Sequence, residues 1–517
     1  MTLRGLAVFC VGIGLCGCAA GPDYSPLAIS VPLSFVAAKA EKPNSRWADA
    51  DLAQWWRAFH DPELNALVSC AVAANLDIEI ALDRLQEART RIVETEAAAL
   101  PAGEASAGTA AGAGSDLTRS RVSPELHSAA NTSGFKQISE AGGFSAAWDL
   151  DFFGKRRREI EASQYDAEAA ADDRESVLVA VAADVARAYL DLRSFQARLA
   201  VSRQAIEAAK RNLDLVQNRA RQGITNDLDV TLAQRELATL EASVPAIEAN
   251  IATAEYVIAA LLGRYPQDVV AELSRPRPIP TFPARIAVGT PLELLRRRPD
   301  IQEAEREVAA ATARIGVATA DLYPDMSVSG ALGGQGGPLA RTGSPTTFIW
   351  AAGPSLYWPL LDFGTLDAKV DIADLRTKEM VAVYKRTVLQ AVSQVGQAIA
   401  SFRAQQQRLR ELDRAIAAAK QAVSLSGTRY GNGLTDFLNV LDAERQLYEL
   451  QGEYAEAQQA AAEQLVGLYK ALGGGWQAYQ AVPPIREPEP AIAAEVKRAL
   501  APRDVRDYLK TEQPALK

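Results

Sequence analysis

RYGNGLTDFLNVLDAER, Arg429 to Arg445, has the glycine-rich look of a ligand loop, yet it stands between two very long polar–apolar repeats. A near copy, RARQGITNDLDVTLAQR, fills Arg219 to Arg235, 210 residues earlier. A phosphate loop needs a strand before its glycines and Lys-Ser/Thr after them, and neither copy has these. At the same offset of 210, Trp148, Leu150, Phe153 and Gly154 match Trp358, Leu360, Phe363 and Gly364, and Leu262-Gly263 matches Leu472-Gly473. Upstream the offset becomes 223, pairing Asp77-Ile78, Arg91-Ile92 and Pro101 with Asp300-Ile301, Arg314-Ile315 and Pro324. The chain is therefore a tandem duplication, and the extra residues of the first copy fall between Pro101 and Trp148 as an exposed loop would.

Each unit has one internal order. A helical stretch, Asp61 to Ala99 or Pro299 to Leu322, stops before a proline. A Gly/Ala/Ser/Thr-rich segment and a strand-like run ending at the tryptophan follow. From Lys155 to Gln222 there is then neither Gly nor Pro. Apolar residues recur there every three or four positions: Leu178, Val181, Val185, Ala188, Leu192, Phe195, Leu199. The second copy repeats this from Val388 to Val423. A spacing of 3.5 sustained this far predicts a coiled-coil seam, on a helix ~100 Å long. Gly223 and Gly433 sit where a C-terminal glycine takes positive φ. Thr225-Asn226-Asp227 and Thr435-Asp436 offer caps for returning helices that reach Leu262 and Leu472. The quoted stretch thus reads as the turn of a long antiparallel helical hairpin.

The N-terminus, MTLRGLAVFCVGIGLCGC, reads as a secretory signal: Arg4 precedes an apolar run that is too short to span a bilayer. Cys70, the one thiol left downstream, lies in an apolar helical stretch and reads as a buried small residue; no Cys/His cluster offers a metal site. A net charge of −9 gives no basic footprint for nucleic acid. No run of 18 apolar residues follows the signal, so a membrane crossing would have to use β-strands. About four strands per chain cannot close a barrel, and lipid does not tolerate an open edge. Three copies would supply about 12 strands, an acceptable barrel, and about 12 helices. Only His60 and His127 occur, with no nucleophile–base or metalloprotease spacing, so catalysis is not expected and neither is a cofactor.

Several motifs in order carry a resemblance: CAAGPDYSP after Leu15-Cys16-Gly17-Cys18, QWWRAFHDPELNALV, LLRRRPDIQEAE at 294–305, GVATADLYPDMSVSG, AAGPSLYWPLLDFG and the hairpin turn. The chain resembles the TolC-type outer-membrane efflux channels (outer membrane factors), in the lipoprotein branch that serves resistance-nodulation-division (RND) pumps. The resemblance implies an α+β membrane protein: a homotrimeric 12-stranded outer-membrane β-barrel continued by a 12-helix periplasmic α-barrel. It implies a signal at 1–17, acylation of Cys18 and an N-terminal equatorial segment at 18–60. A first repeat spans 61–264, with its β-hairpin about 102–151 and helical hairpin 155–262. A Pro-rich equatorial linker covers 265–298. A second repeat spans 299–474, with hairpins about 325–358 and 364–472, and an equatorial segment with a disordered tail fills 475–517.

The implied function is a passive exit duct in the outer membrane of a Gram-negative bacterium, docking a periplasmic adaptor and an inner-membrane RND pump to export drugs or other toxic solutes. By position, Arg219, Gly223, Arg429 and Gly433 would form the docking tip, over and above their plain role as a capped turn. Leu438, Asp442 and Arg445, with Arg235 in the first copy, would form the periplasmic gate. Asp442 and Arg445 are three apart and share a helix face. Leu232 replaces the acid in the first copy, so a single ring of aspartates is expected. Two other readings stay open: a channel for type I protein secretion, and a periplasmic coiled-coil scaffold or adaptor lipoprotein.

Overall fold

The computed structural model describes residues 19–32, 35, 52–113, 136–283, 290–336 and 347–479. Cys18, the signal before it, His127 and the tail after 479 lie outside these residues. The chain divides into two compact units, Met1–Ala478 and Tyr479–Lys517. The elements below belong to the first.

A 3₁₀ turn, Trp55–Phe59, leads into helices α1 (Pro62–Ala74) and α2 (Leu76–Ala98). Strands β1 (Ala102–Ala113) and β2 (Lys136–Asp149) follow, then the long helices α3 (Lys155–Arg221) and α4 (Asp227–Leu261). Short helices α5 (Pro266–Leu273) and α6 (Pro291–Arg297) connect to the second copy. That copy contains α7 (Pro299–Ala320), β3 (Asp325–Gly336), β4 (Thr347–Tyr357), α8 (Thr365–Gly431) and α9 (Phe437–Ala471). Helices α3 and α8 are each 67 residues long, which at 1.5 Å per residue is ~100 Å. The four strands form one antiparallel sheet in the order β1-β2-β3-β4.

Corresponding hydrogen bonds recur in the two halves of the chain. Trp148 donates its indole N–H to the Ala99 carbonyl (3.1 Å), and Trp358 donates to the Leu322 carbonyl (3.2 Å). Both bonds tie the base of a strand pair to the end of the preceding helix. At the other end of those helices, Asn75 donates Nδ2–H to the Leu261 carbonyl (2.8 Å). Arg298 donates Nη1–H to the equivalent Ala471 carbonyl (3.0 Å). Each residue is also the N-cap of the helix that follows it. Two different side chains thus satisfy the same orphan carbonyl at a helix C-terminus.

Asn75 also corrects the helix expected over Asp61 to Ala99. Its ψ of 129° ends α1, and its side-chain oxygen accepts from Asp77 and Ile78 N–H to start α2. The break was hidden because Asn lies within an unbroken apolar pattern, while the second copy marks the same place with Arg-Pro. Replacing Asn75 by Ala removes a cap worth ~1 kcal/mol and strands a carbonyl whose desolvation costs ~1–3 kcal/mol. Unfolding of the purified chain should show a loss of about 2 kcal/mol, and a change below about 0.5 kcal/mol would contradict this double role.

Three further expectations are corrected. Cys70 is half-buried rather than buried, because it points away from the α1 face made by Leu64, Leu67, Val68 and Ala71. Asp436 caps α9 by position only, making no side-chain bond to the helix, whereas Asn226 accepts from Asp229 N–H at the start of α4. Pro62–Ala98 and Asp227–Leu261 contain windows of mean hydropathy 1.4 and 1.2 with at most two charges, so two helical stretches are apolar enough to cross a bilayer by that measure. The first is interrupted at Asn75, and α2 and α4 both pack along α3.

The surroundings of the two long helices differ. Helix α3 packs against α2, α4, α7 and α9 and is buried almost all round from Leu178 to Leu192. Helix α8 packs mainly on α7 and α9 and leaves Ile372, Leu375 and Leu389 exposed.

Candidate functional site

The two hairpin turns are one piece of backbone geometry built twice. Gly223 and Gly433 both have φ of 72°. Gly223 N–H donates to Ala220 C=O (2.9 Å) and Ile224 N–H to Arg219 C=O (3.0 Å). Gly433 and Leu434 repeat these bonds to Tyr430 (3.0 Å) and Arg429 (2.9 Å). This is the Schellman closure of a helix, and a Cβ at either glycine would meet no neighbour within 4 Å. Glycine is therefore needed for its φ, not for space.

The two turns stand side by side. Arg219 extends from α3 over the Tyr430 ring, with Cζ 4.6 Å from the centroid, and Nη1–H donates to the Tyr430 carbonyl (3.1 Å). Beneath them Val216, Ala233, Tyr430, Phe437, Val440 and Leu441 form a buried apolar plug, against which Leu213, Val230 and Leu232 pack. Of the proposed tip residues, then, Gly223, Arg429 and Gly433 are exposed, while Arg219 is half-buried and fastens one hairpin to the other. Ile224 (60 % exposed) and Leu434 (65 %) add an apolar element to the outer surface. Tyr430 was not singled out from sequence, although an aromatic residue one turn before the glycine of only one copy was a usable sign.

One turn behind, Leu438, Asp442, Arg445 and Glu449 follow each other along an exposed face of α9. Arg445 Nη2 lies 3.4 Å from Asp442 Oδ1, and its Nε lies 3.7 Å from Glu449 Oε1. Leu438 is 57 % exposed. Arg235 is exposed on α4, in the other hairpin. Leu232, which holds the place of Asp442 in the first copy, lies partly buried against the apolar plug, so an acid there would be desolvated.

Behind this tip a polar seam joins α3 to α9, which sequence reasoning did not single out. Asn212 donates to Glu444 (2.5 Å), Arg198 pairs with Glu456 (3.1 Å), and Gln459 donates to both Asp191 and Glu463. The members on α3 lie at multiples of seven residues, 191, 198 and 212, which keeps them on one stripe. Burial, then the hydrogen bond and charge of Glu463, push the Asp191 carboxyl up to about 7.

A carboxyl raised in the folded state holds a proton that the unfolded chain has lost. Its contribution to stability is therefore complete below the ordinary aspartate range near pH 4 and vanishes as pH rises through about 7. The urea midpoint should fall between pH 5 and 8, and Asp191→Asn should flatten that slope. An unchanged slope in the variant would remove Asp191 from the account.

The outer membrane efflux protein family, as represented by its sequence profile, matches residues 67–264 and 290–474. A nodulation protein T of Rhizobium leguminosarum bv. trifolii is 31 % identical over 468 residues, covering 89 % of this chain and 95 % of the relative. The pyoverdine export outer membrane protein OpmQ of Pseudomonas aeruginosa is 29 % identical, covering 92 % of this chain and 98 % of the relative. The solved outer-membrane channel OprN superposes with a TM-score of 0.78 at 34 % identity, covering 89 % of this chain and all of that one.

Proposed function

The chain belongs to the outer membrane efflux protein family, and from that premise we propose that it is the outer-membrane duct of a tripartite efflux system, through which small solutes pass without being chemically altered. The observation that carries the reading is a sheet with two free edges among the described residues, joined end-on to helices of 67 residues. A four-stranded open sheet cannot persist in lipid, and three copies supply the about 12 strands a barrel needs. The long helices then continue the tube on the periplasmic side. The paired glycine turns form its far tip, where a periplasmic adaptor docks and an RND pump delivers solute.

Leu438, Asp442 and Arg445 are the gate in this reading, and Ile224, Arg429 and Leu434 the docking face. Cys18 is the acylated residue. Its support is local: Ala20 N–H donates to the Phe153 carbonyl (2.9 Å), and buried Arg158 donates to the Ala20 carbonyl (3.1 Å) and to Asp23 (2.6 Å). Ala20 and Asp23 are thereby held near the strand–helix junction, where Trp148, Phe152, Tyr357 and Trp358 supply exposed aromatics suited to a membrane interface.

One relative is named for pyoverdine export and another for nodulation, so the choice of solute is expected to lie upstream of the duct. The purified protein in planar bilayers should conduct as a trimer. A monomer that neither inserts nor conducts would instead leave the scaffold reading.

A further inference from the structure

We propose that Asp191, Gln459 and Glu463 form a proton-dependent latch between α3 and α9, shut while the two carboxyls share a proton and released when it leaves, so that the duct opens more often as pH rises. This rests on the duct proposed above and adds how its closed state is regulated.

Gln459 lies on α9, and its amide nitrogen donates both to Asp191 of α3 and to Glu463 one turn further along α9 (2.8 Å). Asp191 and Glu463 also lie within hydrogen-bonding reach of each other. Two carboxyls make such a bond only when one of them carries a proton. The cations at this level are engaged elsewhere. Arg187 (3.6 Å) and Lys470 (3.9 Å) both approach Asp184, and Arg198 pairs with Glu456 (3.1 Å). Arg187 and the Gln459 bond draw the Asp191 carboxyl down, but burial and Glu463 outweigh them and hold it at about 7.

The remaining charged groups around this part of α3 face other ways. Tyr189 and Arg193, each two residues from Asp191, turn to the opposite side of the helix. There they meet Asp61 (2.7 Å) and Glu63 (2.6 Å) at the start of α1, with Glu255 of α4 near Arg193. Helices α2 and α7 bring their charges to α3 nearer its start, Arg89 to Arg174, Arg306 to Glu168 and Arg314 to Asp166.

The helical frame does not require these acids. At the offset of 210, Asp191 corresponds to Ser401, Gln459 to Ala249 and Glu463 to Thr253. The chain thus builds the same long hairpin twice and carries the paired carboxyls once. Their position suits a fulcrum. Arg193 ties one face of α3 to Glu63 and to the Arg275 carbonyl of the linker (3.0 Å), while Asp191 on the other face holds α9. From Gln459, Asp442 lies 17 residues (459 − 442) along α9 toward the turn, or ~26 Å. A small tilt of α9 at the latch therefore displaces Leu438, Asp442 and Arg445 much further.

While Asp191 keeps its proton, its O–H donates to Glu463 and the Gln459 amide serves both side chains, so α3 and α9 stay joined. Once the proton passes to water, two like charges share one amide in a half-buried seam, and their repulsion favours separation. A carboxyl raised in this way is protonated in acid and loses its proton as pH rises through about 7, so the latch is shut below that range and released above it.

The test is single-channel recording of the full chain in planar bilayers from about pH 5.5 to 8.5. The ratio of open to closed should rise about tenfold, centred near pH 7. Asp191→Asn and Glu463→Gln keep the shape and a hydrogen bond without the second charge, so each should hold the ratio at its acid value throughout. Native gels check that both variants remain trimeric. Glu444, also raised by burial, faces Asn212, Arg211 and Glu236 further along the seam, and Glu444→Gln should leave the midpoint in place. Infrared spectra in mild acid should show a protonated-carboxyl band that Asp191→Asn removes, a readout independent of conductance. A wild-type ratio that is flat over this range would overturn the latch while leaving the duct standing. So would a response that survives both latch variants, or one that Glu444→Gln alone abolishes. A wild-type chain that is monomeric and non-conducting at every pH would overturn the duct itself.

Discussion

An Arg193→Met chain is expected to be ~3–5 kcal/mol less stable than the wild type, the largest stability loss of any single substitution considered. Arg193 lies in the middle of α3 with no exposed surface. Its Nη2–H donates to Glu63 (2.6 Å), and Nη1–H donates to Gln196 (2.6 Å) and to the Arg275 carbonyl (3.0 Å). Its Cζ lies 4.7 Å from the centroid of the Tyr189 ring, whose hydroxyl donates to Asp61 (2.7 Å). One guanidinium therefore joins α3, the start of α1 and the linker after α5. Methionine fills much of the volume but leaves the Glu63 carboxylate, 16 % exposed, without its strongest partner. Arg277, 3.2 Å away and half solvated, compensates only in part.

The double variant Arg193→Met, Glu63→Gln separates the two contributions. If the cost is an uncompensated buried charge, the second change should recover about half of the loss. If the cost is packing alone, it should recover nothing. Thermal unfolding of detergent-solubilised protein, together with yield in the outer membrane, measures both. A loss below about 1 kcal/mol in the single variant would mean that water already reaches this site.

Legibility from sequence followed the range of the interactions. The hairpin turns were legible because a positive φ requires glycine, and Gly223 and Gly433 announce that locally. The long helices were legible because 67 residues without an interior proline admit little else. The strand pairs were legible through Pro101, Trp148, Pro324 and Trp358, which bound them.

What sequence did not reveal depends on contacts far apart in the chain. Asn75 and Arg298 share one task with different side chains, so no residue identity linked them. The Arg219–Tyr430 stack and the Asp191–Gln459–Glu463 cluster join residues more than 200 apart. The copies also look alike in sequence, while in space α3 is enclosed and α8 is open. That difference follows from chain order, since α3 lies between the two copies and has neighbours from both, whereas α8 packs mainly on helices of the second.

Replacing Asp442 and Arg445 together by alanine should turn the resting duct from a mostly closed to a frequently open state. Within one chain their contact is an exposed i,i+3 pair 3.4 Å apart, with side chains 59 % and 55 % exposed. Such a pair contributes only ~0.2–1 kcal/mol, too little to hold a gate alone. In the proposed trimer Arg445 of one copy also faces Asp442 of the next in the closed state, and three such contacts contribute on the order of 1–3 kcal/mol in total, which is a factor of about 10–100 in the ratio of closed to open. Single-channel recording in planar bilayers should therefore show a rise in open probability of that order, with cells admitting large antibiotics that the wild-type duct excludes.

The exposure of the pair adds a second signature. Exposed charges are screened within about 10 Å at 0.1 M salt, so the wild type should open more often as salt rises. The double variant should lose that dependence. Leu438→Ala tests the apolar part of the same ring: it should widen the closed state while keeping the salt response, because its contribution is steric. Conductance of the double variant indistinguishable from the wild type at every salt concentration would make Asp442–Arg445 a surface pair of a helix and move the gate to another level of the tube.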